Sequence, residues 1–181
     1  HTRFDCDWSS DVCSSDLELH LQEYWVKHRG MDPVEGIQYI GADKARPNPE
    51  AINAIHDADM VILAPGNPLT SIGPMLQLKG IRKELSKIKK KVIAVSPLIG
   101  DNSISGPAAK YMQAAGIESN AYGLAKMYSD VCSNVIVDTK DKALVSKIQG
   151  LDMKAYETKI TMKNKLAEEA LANFILKQVH V

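Results

Sequence analysis

The 181-residue sequence is 45% hydrophobic and 24% charged, with 22 basic and 22 acidic side chains, the balance of one globular domain of ordinary composition. No apolar run approaches the roughly 20 residues that cross a bilayer, and the opening lacks the basic-then-apolar order of a signal peptide, so a cytoplasmic protein with no membrane partner is expected. The first seventeen residues hold Arg3 against Asp5, Asp7, Asp11 and Asp16, leaving 21 basic and 18 acidic groups beyond them; that net +3 is too small to argue for nucleic acid.

In chain order, His1 to Leu17 comes first, rich in Ser, Asp and Cys and without helical or strand period. Its core, Asp7-Trp8-Ser9-Ser10-Asp11-Val12-Cys13-Ser14-Ser15-Asp16-Leu17, is similar to the translation of a sequencing adaptor joined in frame, so residues 1–17 are expected to be a non-native leader. The competing reading is a disordered or metal-binding arm through Cys6 and Cys13, whose spacing matches no common ligand pattern. The body, residues 18–181, then starts at Glu18. Cys132 is its one cysteine, which by itself makes neither a disulfide framework nor a zinc site and is expected in the core.

Val34 to Ile40 alternates as a strand does, and Asn48-Pro49-Glu50 opens a helix, with Asn as cap, Pro in the first turn and Glu near the positive dipole end, running to about His56. Met60 to Ala64 is a continuous apolar run of strand length, the mark of a strand covered on both faces in a parallel sheet. A helix over about Ser71 to Ile88, broken near Gly80, leads to a buried strand Val92 to Val95; Lys87, Lys89, Lys90 and Lys91 read as a solvated helix end before it. Further helices near 106–115, 123–131, 142–149 and 162–178 alternate with strands near 135–137 and 153–156. Such alternation predicts an α/β fold with a Rossmann-like, mainly parallel sheet flanked by helices.

In open sheets of this kind, ligands sit beyond the carboxyl ends of the strands. Two loops stand there. In Ala64 to Pro74, Gly66 and Gly73 let backbone approach a ligand, Thr70 and Ser71 supply hydroxyls, and free N–H groups at the helix start favour phosphate; a capped helix after a turn explains the same residues. The second, Ser96-Pro97-Leu98-Ile99-Gly100 through Ser105-Gly106-Pro107-Ala108, follows the next buried strand, and the two line one crevice if the strands are neighbours. His20, His28, His56 and His180 lack the short spacing of a helical metal pair, Asp57 and Asp59 read as a surface helix end, and neither a Walker-type loop nor Gly-x-Gly-x-x-Gly is present.

Leu21 to Val26, Gly41-Ala42, Ala45-Arg46-Pro47, Asn67-Pro68 with Ser71-Ile72-Gly73-Pro74, Gly80-Ile81-Arg82, Ser96 to Gly100 and Gly106-Pro107-Ala108 resemble, in order and spacing, the 2-phospho-L-lactate transferase family of coenzyme F420 biosynthesis, from about Leu19 to the C-terminus. The resemblance implies transfer of a phospholactyl-type group (2-phospho-L-lactate or phosphoenolpyruvate) from a GDP-linked donor to the deazaflavin 7,8-didemethyl-8-hydroxy-5-deazariboflavin, releasing GMP, with Mg2+ required. It implies that Gly66, Asn67, Pro68, Thr70, Ser71, Ile72 and Gly73 border the diphosphate and deazaflavin, with Ser96, Pro97, Leu98, Gly100 and Gly106 on the guanosine side or in support. The family commonly has Gly-Pro-Ser-Asn-Pro where this chain reads Ala64-Pro65-Gly66-Asn67-Pro68, so any hydroxyl contact at position 66 is lost.

The resemblance also implies that residues 18–181 are the C-terminal part of a single transferase domain whose N-terminal half, with the catalytic residues and metal ligands, has no counterpart here; no metal site is expected in this stretch, and the fragment is expected to be inactive alone. The full-length protein is expected to be a homodimer. Two alternatives stay open: a nucleotide-sugar-binding regulatory protein of the related gluconeogenesis-factor branch, which differs in its loop, and a generic Rossmann-like binding module.

Overall fold

A computed structural model describes residues 9–14 and 17–178. Strand β1 (Ser9–Ser14) pairs antiparallel with β2 (Leu17–His20) and with β3 (Gly36–Ile40), giving a three-stranded sheet in the order β2-β1-β3. Residues 1–17 were expected to have no strand period, yet Ser9–Ser14 is a strand. It is specified by its pairing, Asp11 opposite both His20 and Gln38, and not by apolar alternation. Helix α1 (Leu21–Val26) continues directly from β2, with the His20 ring accepting from Gln22 N at 3.1 Å.

Helix α2 (Pro49–Asp57) opens as read: Asn48 accepts from Glu50 N at 2.9 Å and Pro49 fills the first turn, where a missing N–H costs nothing. It ends at Asp57, which with Asp59 is exposed, as expected of a surface helix end. Strand β4 (Val61–Leu63) leads into a single π-turn, Pro68–Ile72, then α3 (Gly73–Gln77) and α4 (Ile81–Lys87). The break between the last two falls at Gly80, whose φ of 109° is open to glycine and to few other residues. Strand β5 (Val92–Val95), a two-residue hairpin of β6 (Leu98–Ile99) and β7 (Asn102–Ser103), and helices α5 (Ala108–Ala114) and α6 (Ala121–Tyr128) follow. The chain closes with β8 (Asn134–Asp138), α7 (Val145–Gln149), β9 (Lys154–Thr158) and α8 (Lys165–Gln178).

Strands β4, β5, β8 and β9 form one four-stranded sheet in that order, parallel throughout. Alternate residues of β5 and β8 feed two cores, because successive side chains point to opposite faces. Val92, Ala94, Val135 and Val137 pack with Leu76, Leu85, Leu124 and Ile148 on one side; Ile93, Val95 and Ile136 pack with Leu171 and Ile175 of α8 on the other. A third cluster, Tyr24, Leu69, Leu98, Ala108, Tyr111 and Met112, joins α1 and α5 to the loops above the strand ends. Cys132 is a free, fully buried core residue, and burial pushes its thiol up to about 11. The protein is therefore a mixed α/β fold with a parallel sheet flanked by helices, as the alternation predicts.

One strand departs from expectation. Met60 to Ala64 read as covered on both faces, but among the described residues β4 has only β5 beside it, and Ile62 is 45% exposed. None of the helices among the described residues is long and apolar enough to cross a membrane.

Candidate functional site

Val61 pairs with Val92 and Leu63 with Ala94, so β4 and β5 end side by side and the loops that follow them leave from the same edge. Together with α1 and the start of α5 these loops enclose a cavity of about 310 Å³. Its walls are Pro65, Gly66, Asn67, Thr70 and Ser71 from the first loop, Pro97 and Ser105 to Ala108 from the second, and Leu21, Gln22, Trp25 and Tyr111.

Asn67 organises the first wall. Its Oδ1 accepts from Leu69 N at 3.0 Å and Thr70 N at 3.2 Å, and its carbonyl accepts from Ser71 N at 3.0 Å and Ile72 N at 3.1 Å. Gly66 N donates to Ala64 O at 2.7 Å. The free N–H groups expected at this helix start are therefore consumed internally. The wide π-turn brings the third and fourth N–H groups after Pro68 onto one carbonyl, and proline itself has none to offer. What is left for a ligand lies on side chains. The Asn67 Nδ2 is buried and has no acceptor among the described residues, a state that costs roughly 1–3 kcal/mol when nothing else satisfies it. The hydroxyls of Thr70 and Ser71 stand on the same wall. From α5, the buried Tyr111 hydroxyl is likewise without a partner among the described residues, and burial pushes it up to about 12, so it stays a neutral phenol.

The turn is braced from below. Tyr39 of β3 donates its hydroxyl to the Leu69 carbonyl at 2.6 Å, and burial pushes that phenol up to about 12. A side chain at Gly73 would collide with the Tyr39 hydroxyl and the Pro68 carbonyl, so a hydrogen is all that fits there.

The structure sorts the residues singled out in the sequence into two groups. Gly66, Asn67, Thr70, Ser71, Pro97 and Gly106 come together on the cavity wall. Pro68 and Gly73 instead line a smaller recess beside Tyr39 and Tyr128, and Ile72 belongs to the sheet core. Ser96 and Leu98 are fully buried, the serine hydroxyl lying 3.1 Å from both the N–H and the carbonyl of Leu98. Gly100 donates its N–H to Asp141 Oδ1 at 2.9 Å and does not line the cavity.

Sequence reasoning did not single out Trp25 or Tyr111 as wall residues. Trp25 lay inside the Leu21 to Val26 motif, but nothing local shows that this segment folds over loops that begin about forty residues downstream. The histidines make ordinary surface contacts: His28 lies 2.9 Å from Asp32 and His56 2.6 Å from Glu84; His180 falls outside the described residues. Among the described residues no carboxylate lines the cavity, and no three His, Cys, Asp or Glu side chains are grouped as a metal site. The described residues of this wall do not fit a divalent cation.

The family model for 2-phospho-L-lactate transferase CofD matches residues 7–178, a match that begins within the stretch 1–17 that was expected to be non-native. The chain is 36% identical over 173 residues to a 2-phospho-L-lactate transferase of Methanosarcina barkeri, covering 93% of this chain and 55% of that protein. It is 40% identical over 163 residues to the one from Methanocorpusculum labreanum, covering 89% and 51%. It thus spans about half the length of the curated relatives it matches. Among solved structures, a UPF0052-family protein of Bacillus halodurans shares the fold with a TM-score of 0.57 at 14% identity, covering 91% of this chain and 58% of that one. Across nearly its whole length, then, the chain belongs to the 2-phospho-L-lactate transferase CofD family.

Proposed function

We propose that the chain is part of a transferase of coenzyme F420 biosynthesis, moving a phospholactyl-type group from a GDP-linked donor to the primary hydroxyl of a deazaflavin. The observation that carries this reading is the cavity at the ends of β4 and β5, where a family-matching loop presents an unpartnered Asn67 Nδ2 beside two hydroxyls. Neutral donors of this kind suit the non-bridging oxygens of a diphosphate, each accepting several hydrogen bonds. In the reaction, the acceptor hydroxyl oxygen attacks the donor phosphorus that bears the three-carbon acid. A new P–O bond forms, the anhydride bond to GMP breaks, GMP departs and the hydroxyl proton is lost to a base. Positioning of the two substrates supplies much of the rate in such a displacement.

This wall holds and orients but neutralises no charge, because among the described residues no Lys or Arg lines it. We assign the magnesium ligands and the catalytic base to the part of the relatives' length that this chain does not match, so the chain alone is expected to give no turnover. The test is to place the N-terminal half of one of these relatives ahead of Glu18 and assay transfer to the deazaflavin. Activity is expected, and it should fall at least tenfold in Asn67→Ala and in Ser71→Ala. A folded chimera that binds a UDP-sugar, ignores GDP and transfers nothing would replace this reading with the nucleotide-sugar-binding regulatory one.

A further inference from the structure

Trp25 is the one wall residue that is large, aromatic and open: 46% of its surface is exposed although it lines the cavity. An indole half open on a cavity wall offers a flat apolar face with a polar N–H edge, the kind of surface with which ligand pockets are lined. The ring is also held in place. Gly30, with φ of 62°, lies against its benzo end so closely that a methyl there would come within 2.8 Å of Cζ3 and 2.9 Å of Cε3.

The loop carrying Gly30 is clasped in turn. The Tyr24 hydroxyl lies 2.9 Å from the Gly30 carbonyl and 2.7 Å from that of Asp32. Lys110 Nζ of α5 donates to the Tyr24 hydroxyl at 2.6 Å and to the same two carbonyls at 2.8 and 2.6 Å. The indole is thus backed by a glycine, fixed by an ammonium clasp and turned to a cavity whose other apolar surface comes from Leu21, Pro65, Pro97 and Pro107.

We infer that Trp25 is a stacking platform for the planar ring of the deazaflavin acceptor, an inference that rests on the transferase reading above. The alternative planar group, guanine, presents N1–H and N2–H2 donors that a carboxylate accepts best, and among the described residues no carboxylate lines the wall, whose side-chain acceptors are the Gln22 amide and the hydroxyls of Thr70, Ser71 and Ser105. A broad tricycle asks for flat apolar area, which this wall does provide.

Trp8 and Trp25 are the two tryptophans of the sequence, so Trp8→Phe leaves Trp25 as the one indole reporter. In that background, the full chain is titrated with the free deazaflavin alcohol and, separately, with GDP, following indole emission and measuring affinity by calorimetry. The deazaflavin should quench Trp25. Trp25→Ala should weaken deazaflavin binding by roughly tenfold or more, Trp25→Phe by no more than about threefold, and neither should change GDP affinity, base-to-aromatic stacking being of that size. Far-UV circular dichroism establishes that each variant is folded, and the Phe variant carries the test if Ala unfolds. Deazaflavin binding that is equal in wild type and folded Trp25→Ala would overturn the platform and leave the transferase reading standing. So would loss of GDP affinity in step with deazaflavin, or GDP binding without deazaflavin binding. A chain that binds neither ligand would sink the transferase reading for this half, and the platform with it.

Discussion

Asn67 and Asn120 do the same job at two helix starts and end in different states. Asn120 accepts from Tyr122 N at 3.1 Å and Gly123 N at 3.0 Å; Asn67 accepts from Leu69 N and Thr70 N at 3.0 and 3.2 Å. Each side-chain carbonyl thereby satisfies two N–H groups that the helix cannot. The other end of the amide separates them. Asn120 Nδ2 reaches the exposed Glu118 carboxylate at 3.5 Å, whereas Asn67 Nδ2 is buried with no acceptor among the described residues. A cap needs only the oxygen of the amide. Where the nitrogen is also buried and left over, something beyond capping is being asked of the residue.

The sharpest way to break this comparison is Asn67→Asp in the chimera that carries a relative's N-terminal half. Aspartate keeps the capping oxygen and is a preferred cap in its own right, so the turn should still form, with the stability lost to the buried second carboxylate oxygen read from the thermal midpoint. It replaces the free donor with a charged acceptor facing a diphosphate, losing a charge-assisted hydrogen bond of roughly 1.5–3 kcal/mol and adding repulsion. With each ~1.4 kcal/mol a factor of ten, kcat/KM should fall on the order of 100-fold. Asn120→Asp in the same chimera should leave it unchanged. Equal activity in wild type and Asn67→Asp would mean that the leftover nitrogen is no ligand group.

The structural member of the pair predicts the converse. Asn120→Ala removes the cap of α6, whose Ala121, Leu124, Ala125 and Tyr128 are buried, and should cost about 1 kcal/mol of stability. Chemical denaturation of this chain measures it directly. GDP and deazaflavin affinities should not move, and a loss of either would show that Asn120 reaches the cavity after all.

How much of this was legible in advance depends on the range of the interaction. Asn48-Pro49 and the Gly80 break are local devices, and the structure places a helix start and a helix break at those positions. Val92 to Val95 and Met60 to Ala64 looked alike as apolar runs, and both hold strands. Only the first is wholly buried, because β5 has a neighbour on either side and β4, among the described residues, has one. Neighbour number is a tertiary fact, and composition does not carry it. The site divides the same way. Both loops were visible from their position after apolar strands and their Gly, Pro, Ser and Thr content. That Asn67 would use up the backbone donors required the π-turn itself, which the residues Pro68 to Ile72 do not announce. Trp25 reaches the cavity from a short helix distant in sequence, so no spacing rule points to it, whereas Tyr111 lies one helical turn beyond Pro107 and Ala108 of the second loop, a spacing that does.

The smallest expected effect bears on the residue beside Asn67. Where the family commonly places a serine, this chain has Gly66, whose φ lies outside the left-handed region. A Cβ there would meet nothing nearer than the Ser71 Cβ at 3.4 Å, an ordinary contact, so Gly66→Ser fits without rearranging the turn. The added hydroxyl joins Thr70 and Ser71 on the same wall, and one neutral hydrogen bond of roughly 0.5–1.5 kcal/mol would tighten GDP binding by about threefold. The thermal midpoint should rise slightly if it moves at all, since replacing glycine at a compatible position reduces the freedom of the unfolded chain. Calorimetric titration of both forms decides the matter. Tighter GDP binding in Gly66→Ser, absent when Asn67 is also changed to Asp, would show that the two positions act on one diphosphate. An unchanged affinity would place the nucleotide elsewhere and leave Asn67 Nδ2 to a different part of the substrate.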